Sequence, residues 1–449
     1  MDATLRALNR FGLGARIGER RRINDPHAWL RDQLTQQVPA PLAAGVTENE
    51  IANALRAFRM IGQGDERARR EARQRLQRLA RAEQLGALAL RITSDQSFTE
   101  RLVAFWSNHL CVSTAAKLLV APLAGSYERE VVRKHVFGRF EDMVLASARH
   151  PAMLIYLDNF QSVGPRARGA QLNRRAGRQR GLNENYAREL LELHTLGVDG
   201  GYTQTDVIEL ARMLTGWTVD GIGGRRADGP IRFAFNDMLH EPGGKTLLGA
   251  RYHEDGAHEG ERAIRALCRH PSTARFVARK LATHFIADTP PTTAVDRLAK
   301  TYRETDGDLR AVSAALIELP EVWSDGARKL RTPQDWIVAV LRAFAAREVN
   351  EAILPVLRQL RHPLWSPQAP KGFGDTVQEW ADPDSLLNRA ELARTMAQRL
   401  ARAHADPREL LDVVDVGRDN PLRAVVSDIR IPAGERIALA IAGPAFQWR

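Results

Sequence analysis

The feature that most constrains the fold is the helical period of the apolar residues, which recurs along most of the 449-residue chain. The clearest case lies within residues 63–92, where Leu76, Leu79, Leu85 and Leu88 stand at helical spacings among Arg and Glu. That pattern predicts a long amphipathic helix with one solvated face. Strand patterns are sparse, so the sequence predicts a mainly α, large multi-helical globular protein.

One segment departs from the helical period. Residues 220–256 are rich in glycine and contain two short apolar runs, 231–235 and 246–248. Short apolar runs bounded by turn residues are typical of paired strands. We therefore expect one small β-hairpin or irregular excursion near 220–256.

A second segment is basic. Residues 163–181 hold six arginines and no acidic residue, and their glycines argue against a continuous helix, which predicts a basic flexible loop. We expect a single helical unit over 1–449, with lobes 1–160 and 181–449 joined by this loop. Residues 363–374 concentrate Pro and Gly around Trp365 and predict an ordered loop.

Charge brings nucleic acids and anionic membranes into consideration as partners. The formal net charge is +11 and the sequence pI about 10.1. The excess is spread along the chain without a nucleic-acid-binding motif, so nucleic acid is not expected as a partner. Of the 65 basic residues 58 are arginine, a bias that fits a GC-rich genome as well as phosphate recognition.

Cysteine content and hydropathy bear on the compartment. Cys111 and Cys268 are too few for a disulfide framework and match no zinc spacing. The first 16 residues lack the apolar core of a signal peptide, and no run of 18 apolar residues occurs. The sequence alone therefore predicts a soluble, cytoplasmic protein with no membrane span.

The densest polar pattern lies in the helix predicted at 182–196. At about 100° per residue, Asn185, Glu189 and Glu192 point roughly the same way. Carboxylates three residues apart on a helix ligate a divalent metal when another element supplies histidine. The candidate ligands are therefore these three residues together with His109 or His240.

The alternative for the same helix is structural. Glu184, Arg188 and Glu192 are spaced for an ion-pair ladder on a solvated or half-buried face. If Arg188 fills the space between the carboxylates, the metal hypothesis weakens sharply. His194 falls on the apolar side, which predicts a hydrogen-bonded core histidine.

His240 lies in the 220–256 segment, where helix packing does not explain a histidine. We take it as the best single functional candidate; Glu189 and Arg188 are further catalytic candidates. Arg188 and Lys245 are candidate anion-binding residues because each offers charged donors to a carboxylate or phosphate.

Several segments together resemble one family, the bacterial proteins grouped as domain of unknown function 1800. The resembling segments lie in order along nearly the whole chain: 10–14 (RFGLG), 105–109 (FWSNH), 181–202 (GLNENYARELLELHTLGVDGGY), 214–217 (LTGW), His240 with Lys245, His270-Pro271 with Lys280, and 386–389 (LLNR). The resemblance implies an exported or periplasmic location and an exported protein as partner. It implies no catalytic residues.

Two functions follow as hypotheses. The first is a helical binding or assembly protein that works with an exported partner, with the 163–181 loop or the Trp365 loop as its contact surface. The alternative is a metal-assisted hydrolase with a carboxylate and histidine site between the 182–196 helix and the 220–256 loop, where a metal-bound water is activated. Whether the protein is an enzyme is left open.

Overall fold

The computed structural model describes residues 2–40, 43, 45–62, 64–170, 181–222, 229–402, 406–417 and 419–449. The protein is mainly α, as the sequence predicts, with two small antiparallel strand pairs among the described residues. The long amphipathic helix is observed at Glu66–Thr93, with Leu76 and Leu88 fully buried on its inner face. Its Arg-rich face lies in solvent, as its period predicts.

The α-helices whose two ends both lie in the described residues are Ala3–Arg6 (α1), Pro26–Gln33 (α2), Glu48–Met60 (α3), Glu66–Thr93 (α4), Ser97–His109 (α5), Ala124–Tyr127 (α6), Phe140–Arg149 (α7), Pro151–Tyr156 (α8), Asn185–Glu189 (α9), Gln204–Met213 (α10), Ala257–Arg269 (α11), Pro271–Phe285 (α12), Thr292–Glu304 (α13), Leu309–Ile317 (α14), Pro320–Trp323 (α15), Pro333–Ala343 (α16), Ile353–Gln359 (α17), Val377–Trp380 (α18), Pro383–Arg402 (α19), Pro421–Ser427 (α20), Ala433–Ala442 (α21) and Pro444–Gln447 (α22). Within the described ranges, three π-helical turns extend or replace α-helix at Ala7–Phe11, Glu128–Arg133 and Leu190–His194. The helix predicted at 182–196 is therefore α9 followed by a π-helical turn.

Local side chains fix where several helices begin. Thr203 and Asp206 form a capping box at α10, in which each side chain accepts a hydrogen bond from the other residue's backbone N–H. At α8 and α12 the histidine of a His-Pro pair caps the helix: the Nδ1 atoms of His150 and His270 each accept a hydrogen bond from the backbone N–H two residues later. Proline suits the first helical position because a backbone N–H there would have no acceptor within the helix, so nothing is lost when proline lacks it.

The strand pairs lie where the sequence predicts a departure from helix. Strand β1 (Trp217–Asp220) pairs with β2 (Arg232–Phe235), and β3 (Lys245–Leu247) pairs with β4 (Ala250–Tyr252). The first pair places Trp217 opposite Phe235, and Trp217 is fully buried. The excursion is thus two short hairpins instead of the single one expected.

One hydrophobic core cluster contains residues from Leu5 to Phe446. The chain's first and last segments meet in it, since the Arg10 guanidinium donates to the Arg449 carbonyl at 3.0 Å. In the described part of the protein, no helix combines the length and the apolarity needed to cross a lipid bilayer.

The predicted basic loop falls partly on residues 171–180, which lie outside the described residues. Its described beginning is packed: Val163 and Ala167 are buried beside Leu239. Arg166 pairs with Glu241 at 2.7 Å. This part of the segment is therefore fixed to the 238–242 backbone.

Candidate functional site

A cleft of about 310 Å³ opens between α5, α12, the start of α16 and the 362–376 loop. Its charged and histidine lining residues are Arg91, Arg101, His109, Arg279, Lys280, His284, Asp335, His362, Lys371 and Asp375. Phe105, Trp365 and Phe373 supply an aromatic wall. Concave sites with convergent polar groups on an apolar wall are the usual places for ligands.

The lining carries more positive than negative charge, with five Arg or Lys residues against two carboxylates. Arg91 is neutralised by Glu128, at 2.9 Å. Arg101 is likewise paired, with Asp335. In contrast, none of the described carboxylates forms an ion pair with Arg279, Lys280 or Lys371. The cleft therefore presents surplus positive charge to whatever enters it.

Lys280 and His284 lie four residues apart on α12, which places both on the helix face that lines the cleft. Burial lowers the pKa of the Lys280 ammonium group. Its Nζ also lies 5.7 Å from the centre of the Phe276 ring.

His284 and Asp375 form a pair in the lining of the cleft, with Nδ1 2.6 Å from Oδ2. Burial is the largest influence on His284 and lowers its pKa to about 4, although Asp375 acts in the opposite direction. The ring is therefore neutral near pH 7, so Nδ1 carries the hydrogen that it donates to Asp375. The lone pair of Nε2 remains, 3.5 Å from Nη1 of Arg101.

Both carboxylates of the cleft are already held by cations. Arg101 lies 3.1 Å from Asp335, and the Arg449 guanidinium lies 3.5 Å from it. Burial would raise the pKa of Asp335, but these two arginines outweigh it and hold the pKa well below the ordinary value. Lys329 donates to the Asp375 carbonyl and lies 3.9 Å from its carboxylate. Both acids are ionised supports of the site.

Arg101 uses only part of its hydrogen-bonding capacity within the described structure. Its Nε donates to the Gly12 carbonyl at 2.7 Å and its Nη1 binds Asp335. Its Nη2 is buried and has no hydrogen-bond partner among the described residues. A buried donor without a partner costs about 1–3 kcal/mol, so this nitrogen favours any ligand that brings an acceptor.

The residues predicted to bind a metal are arranged as the structural alternative predicts. Arg188 lies 3.7 Å from Glu184 and 3.4 Å from Glu192. The ladder is therefore present, and Arg188 takes part in it; anion binding by Arg188 stays a prediction. Asn185 is exposed, and the pKa of Glu189 is raised by burial and by Glu192.

His240 and Lys245 belong to a separate, closed network. Their nitrogens converge on Glu259, with His240 Nε2 3.0 Å from Oε1 and Lys245 Nζ in contact with the same oxygen. Lys245 also donates to the Glu241 carbonyl at 2.6 Å. All three side chains are at most 2 % exposed, so the nitrogens of His240 and Lys245 are engaged inside the protein, and the functional role of His240 and anion binding by Lys245 stay predictions.

The predicted metal shell therefore does not come together. Within the described ranges, no three His, Cys, Asp or Glu side chains lie close enough to hold a metal ion. His109 lines the cleft instead, with Nε2 3.1 Å from the His194 carbonyl. His194 is buried, as predicted, but neither of its ring nitrogens has a partner in the described structure.

The model of one family, described as protein of unknown function (DUF1800), matches residues 6–448. The chain belongs to the DUF1800 family. No curated protein and no solved structure matches it. All the residues that line the cleft of this DUF1800 protein lie within the matched range.

Sequence reasoning about this DUF1800 protein missed Arg101, His284, Asp335 and Asp375. One signal in the sequence indicates part of this site: Lys280 and His284 are four residues apart and therefore share a face of α12. His284 and Asp375 are 91 positions apart, so no local spacing links them. The Trp365 loop, by contrast, was predicted to be ordered and lines the cleft.

Proposed function

We propose that this DUF1800 protein binds a small organic anion in the cleft between α5, α12 and the 362–376 loop. The observation that carries the proposal is the unpartnered Nη2 of Arg101, a buried donor in a wall of surplus positive charge. Arginine stays protonated at all ordinary pH values, so the charge cannot be removed by titration. An anionic oxygen supplies both the missing acceptor and the missing negative charge.

The shape of the cleft narrows the ligand class. A volume of about 310 Å³ fits a ligand with a carboxylate or phosphate head group and a small apolar part. Phe105 and Phe373 offer that part an aromatic wall, while Arg101 and Lys280 face the head group. Arg279 and Lys371 are exposed and attract the anion at longer range.

The partner role implied by the family resemblance fits the same site. The Trp365 loop, which sequence analysis takes as a contact surface, forms one wall of the cleft. An exported partner that presents an acidic group meets the same cations as a small ligand. We therefore propose a binding function. The metal-assisted alternative lacks its predicted set of metal ligands among the described residues.

Calorimetric titration with inorganic phosphate and with phenylphosphonate, whose C–P bond is not hydrolysed, tests this function. We expect phenylphosphonate to bind more tightly, because its ring contacts the aromatic wall, and both affinities to fall as salt concentration rises. Lys280→Met removes one cleft cation and keeps the length of the side chain, so we expect it to weaken both ligands about tenfold.

The matched control is Arg297→Met, which removes an exposed cation from α13, away from the cleft. It should leave both affinities within about twofold. The proposal is overturned if neither anion binds the wild type. Equal weakening by the two substitutions would also overturn it, since that result indicates a general effect of net charge.

A further inference from the structure

His284 combines three features that nucleophilic imidazoles need. Asp375 accepts its Nδ1 hydrogen at 2.6 Å, which fixes the ring orientation and leaves the lone pair on Nε2. Its ring packs against Phe105, with centroids 5.2 Å apart, so the imidazole is held from a second side. It lines the cleft, where Nε2 faces the Arg101 guanidinium.

The ring also stays neutral where most histidines begin to take up protons. Burial and the charges of Arg449 and Arg101 lower its pKa to about 4, against the raising effect of Asp375. The lone pair of Nε2 is consequently present across the neutral range and into mild acid, where it accepts a hydrogen bond from Nη1 of Arg101 at 3.5 Å, a contact that attack on phosphorus replaces. A neutral imidazole beside cations that bind an anion is suited to attack that anion.

Resting on the anion-binding function above, we propose that the cleft transfers a phosphoryl group from a phosphomonoester to Nε2 of His284 and then to water. The protein is in this case a phosphatase that works through a phosphohistidine intermediate.

In the first step the Nε2 lone pair forms an N–P bond, the ester P–O bond breaks, and the leaving oxygen takes its electron pair and a proton from solvent. The phosphorylated ring keeps its Nδ1 hydrogen and gains positive charge, which the Asp375 carboxylate offsets. In the second step water attacks phosphorus, the N–P bond breaks, its electron pair returns to Nε2, and a proton leaves to solvent with release of inorganic phosphate.

Three residues in or beside the cleft, Arg101, Asp375 and Arg449, support these steps. Arg101, through its unpartnered Nη2, stabilises the charge on the transferring phosphoryl oxygens. Asp375 is a positioning residue, since it acts through His284. Arg449 holds the backbone of this site, where its Nη2 donates to the His284 carbonyl at 3.1 Å.

Two other nucleophiles of the cleft, Cys111 and Ser107, are less suited. Burial raises the pKa of the Cys111 thiol to about 12, so it stays protonated, and its Sγ faces the Pro370 carbonyl at 3.1 Å. The Ser107 hydroxyl donates to Glu128 at 2.9 Å. Arg91 and Arg133 keep that carboxylate ionised and occupied, so it is poorly placed to serve Ser107 as a base.

Incubation with 4-nitrophenyl phosphate tests the inference. We expect release of 4-nitrophenol and, after quenching in alkali, in which phosphohistidine is stable, a protein mass increased by one phosphoryl group on the peptide that contains His284. His284→Asn should abolish both signals. Asp375→Asn keeps an acceptor for Nδ1 but removes the charge, and should slow formation of the labelled protein about tenfold to hundredfold.

The exposed His253 supplies the matched control, since His253→Asn changes the same residue type outside the cleft and should retain full label. Titration of each variant with inorganic phosphate separates the two proposals and reports folding. Phosphate binding by the wild type without hydrolysis or label overturns the phosphatase inference and leaves the binding function standing. Absence of phosphate binding removes both, and hydrolysis that survives in His284→Asn overturns the role of His284.

Discussion

Single residues in this protein shape the cleft by holding backbone. Asn108 donates from Nδ2 to the Phe373 carbonyl and accepts at Oδ1 from the Phe373 N–H, both at 2.8 Å. This pair of hydrogen bonds fixes the loop that carries Lys371 and Asp375. Gly372 allows the close approach, because it has φ of 79° and lies against the backbone of Asn108.

Gly372→Ala therefore tests how far the cleft depends on this approach. A Cβ at this position would lie 2.5 Å from the Asn108 carbonyl oxygen, and a positive φ is unfavourable for alanine. We expect a loss of about 2 kcal/mol or more in the free energy of unfolding, and weaker phosphate binding, because the loop must move. Urea denaturation and calorimetry measure the two effects.

The control is Gly326→Ala, where an added Cβ meets nothing within 4 Å. It should change stability by less than about 0.5 kcal/mol and leave phosphate affinity unaltered. Equal behaviour of the two alanine variants would show that the Asn108 contact does not shape the site.

At this scale the sequence predicts interactions within one helix and misses those between distant segments. The Glu184–Arg188–Glu192 ladder follows from spacings of four residues, and the structure contains it. His240 is the best functional candidate from the sequence because helix packing does not explain it, yet it is buried against Glu259. Spacing along the chain carries no information about such a partner from another element.

Among the helical elements, the π-helical turn Glu128–Arg133 connects the core to the cleft. Arg133 binds both oxygens of Glu100 on α5, at 2.7 and 2.9 Å, and lies 3.0 Å from Glu128. Glu128 in turn accepts from Arg91 and from the Trp365 indole. The arginines outweigh burial and lower the pKa of Glu128 to about 2, so Glu128 is ionised.

Arg133 is the central cation of this network. Removing it takes one cationic partner from each of the buried carboxylates of Glu100 and Glu128. We expect Arg133→Met to lower the free energy of unfolding by about 3–5 kcal/mol, as is usual when one partner of a buried pair is removed. Arg67→Met is the control, because Arg67 and Glu71 form an exposed pair on α4, and it should cost less than about 0.5 kcal/mol. A loss below about 1 kcal/mol in Arg133→Met, measured by urea denaturation, would contradict the network's role.

Helical elements are predicted well where their apolar period is long. The period over 63–92 corresponds to α4 at Glu66–Thr93, and the capping box at Thr203 is observed. The π-helical turn at Leu190–His194 was not predicted, because a change in hydrogen-bonding step leaves little trace in the spacing of apolar residues.

For the molecule as a whole, the abundance of arginine has a structural use that composition did not indicate. Several arginines are buried and donate to backbone carbonyls from distant parts of the chain. Arg342 binds the carbonyls of Gly14, at 2.9 Å, and of Ser94, at 2.9 Å. Burial lowers its pKa to about 10, so it remains charged near pH 7. Part of the charge of +11 is therefore internal.

Buried histidines give the whole protein a predicted sensitivity to acid. Burial lowers the pKa of His194 and of His362 to about 3 and that of His284 to about 4. The unfolded chain binds protons near pH 6.5, where the folded chain does not. Stability is therefore expected to fall as pH drops from about 6.5 towards 4, by up to about 1.4 kcal/mol per pH unit for each such histidine.

His194→Leu tests this sign at one position. His194 has no partner for either ring nitrogen in the described structure, so leucine removes a buried polar group without breaking a side-chain hydrogen bond. We expect the variant to be at least as stable as the wild type at pH 7.5 and about 2 kcal/mol more stable relative to it at pH 5, measured by urea denaturation at both pH values. His253→Leu, at an exposed histidine, should leave the pH dependence unchanged. If the stabilities of His194→Leu and the wild type fall in parallel between these pH values, His194 takes up no proton on unfolding and the acid sensitivity must come from other groups.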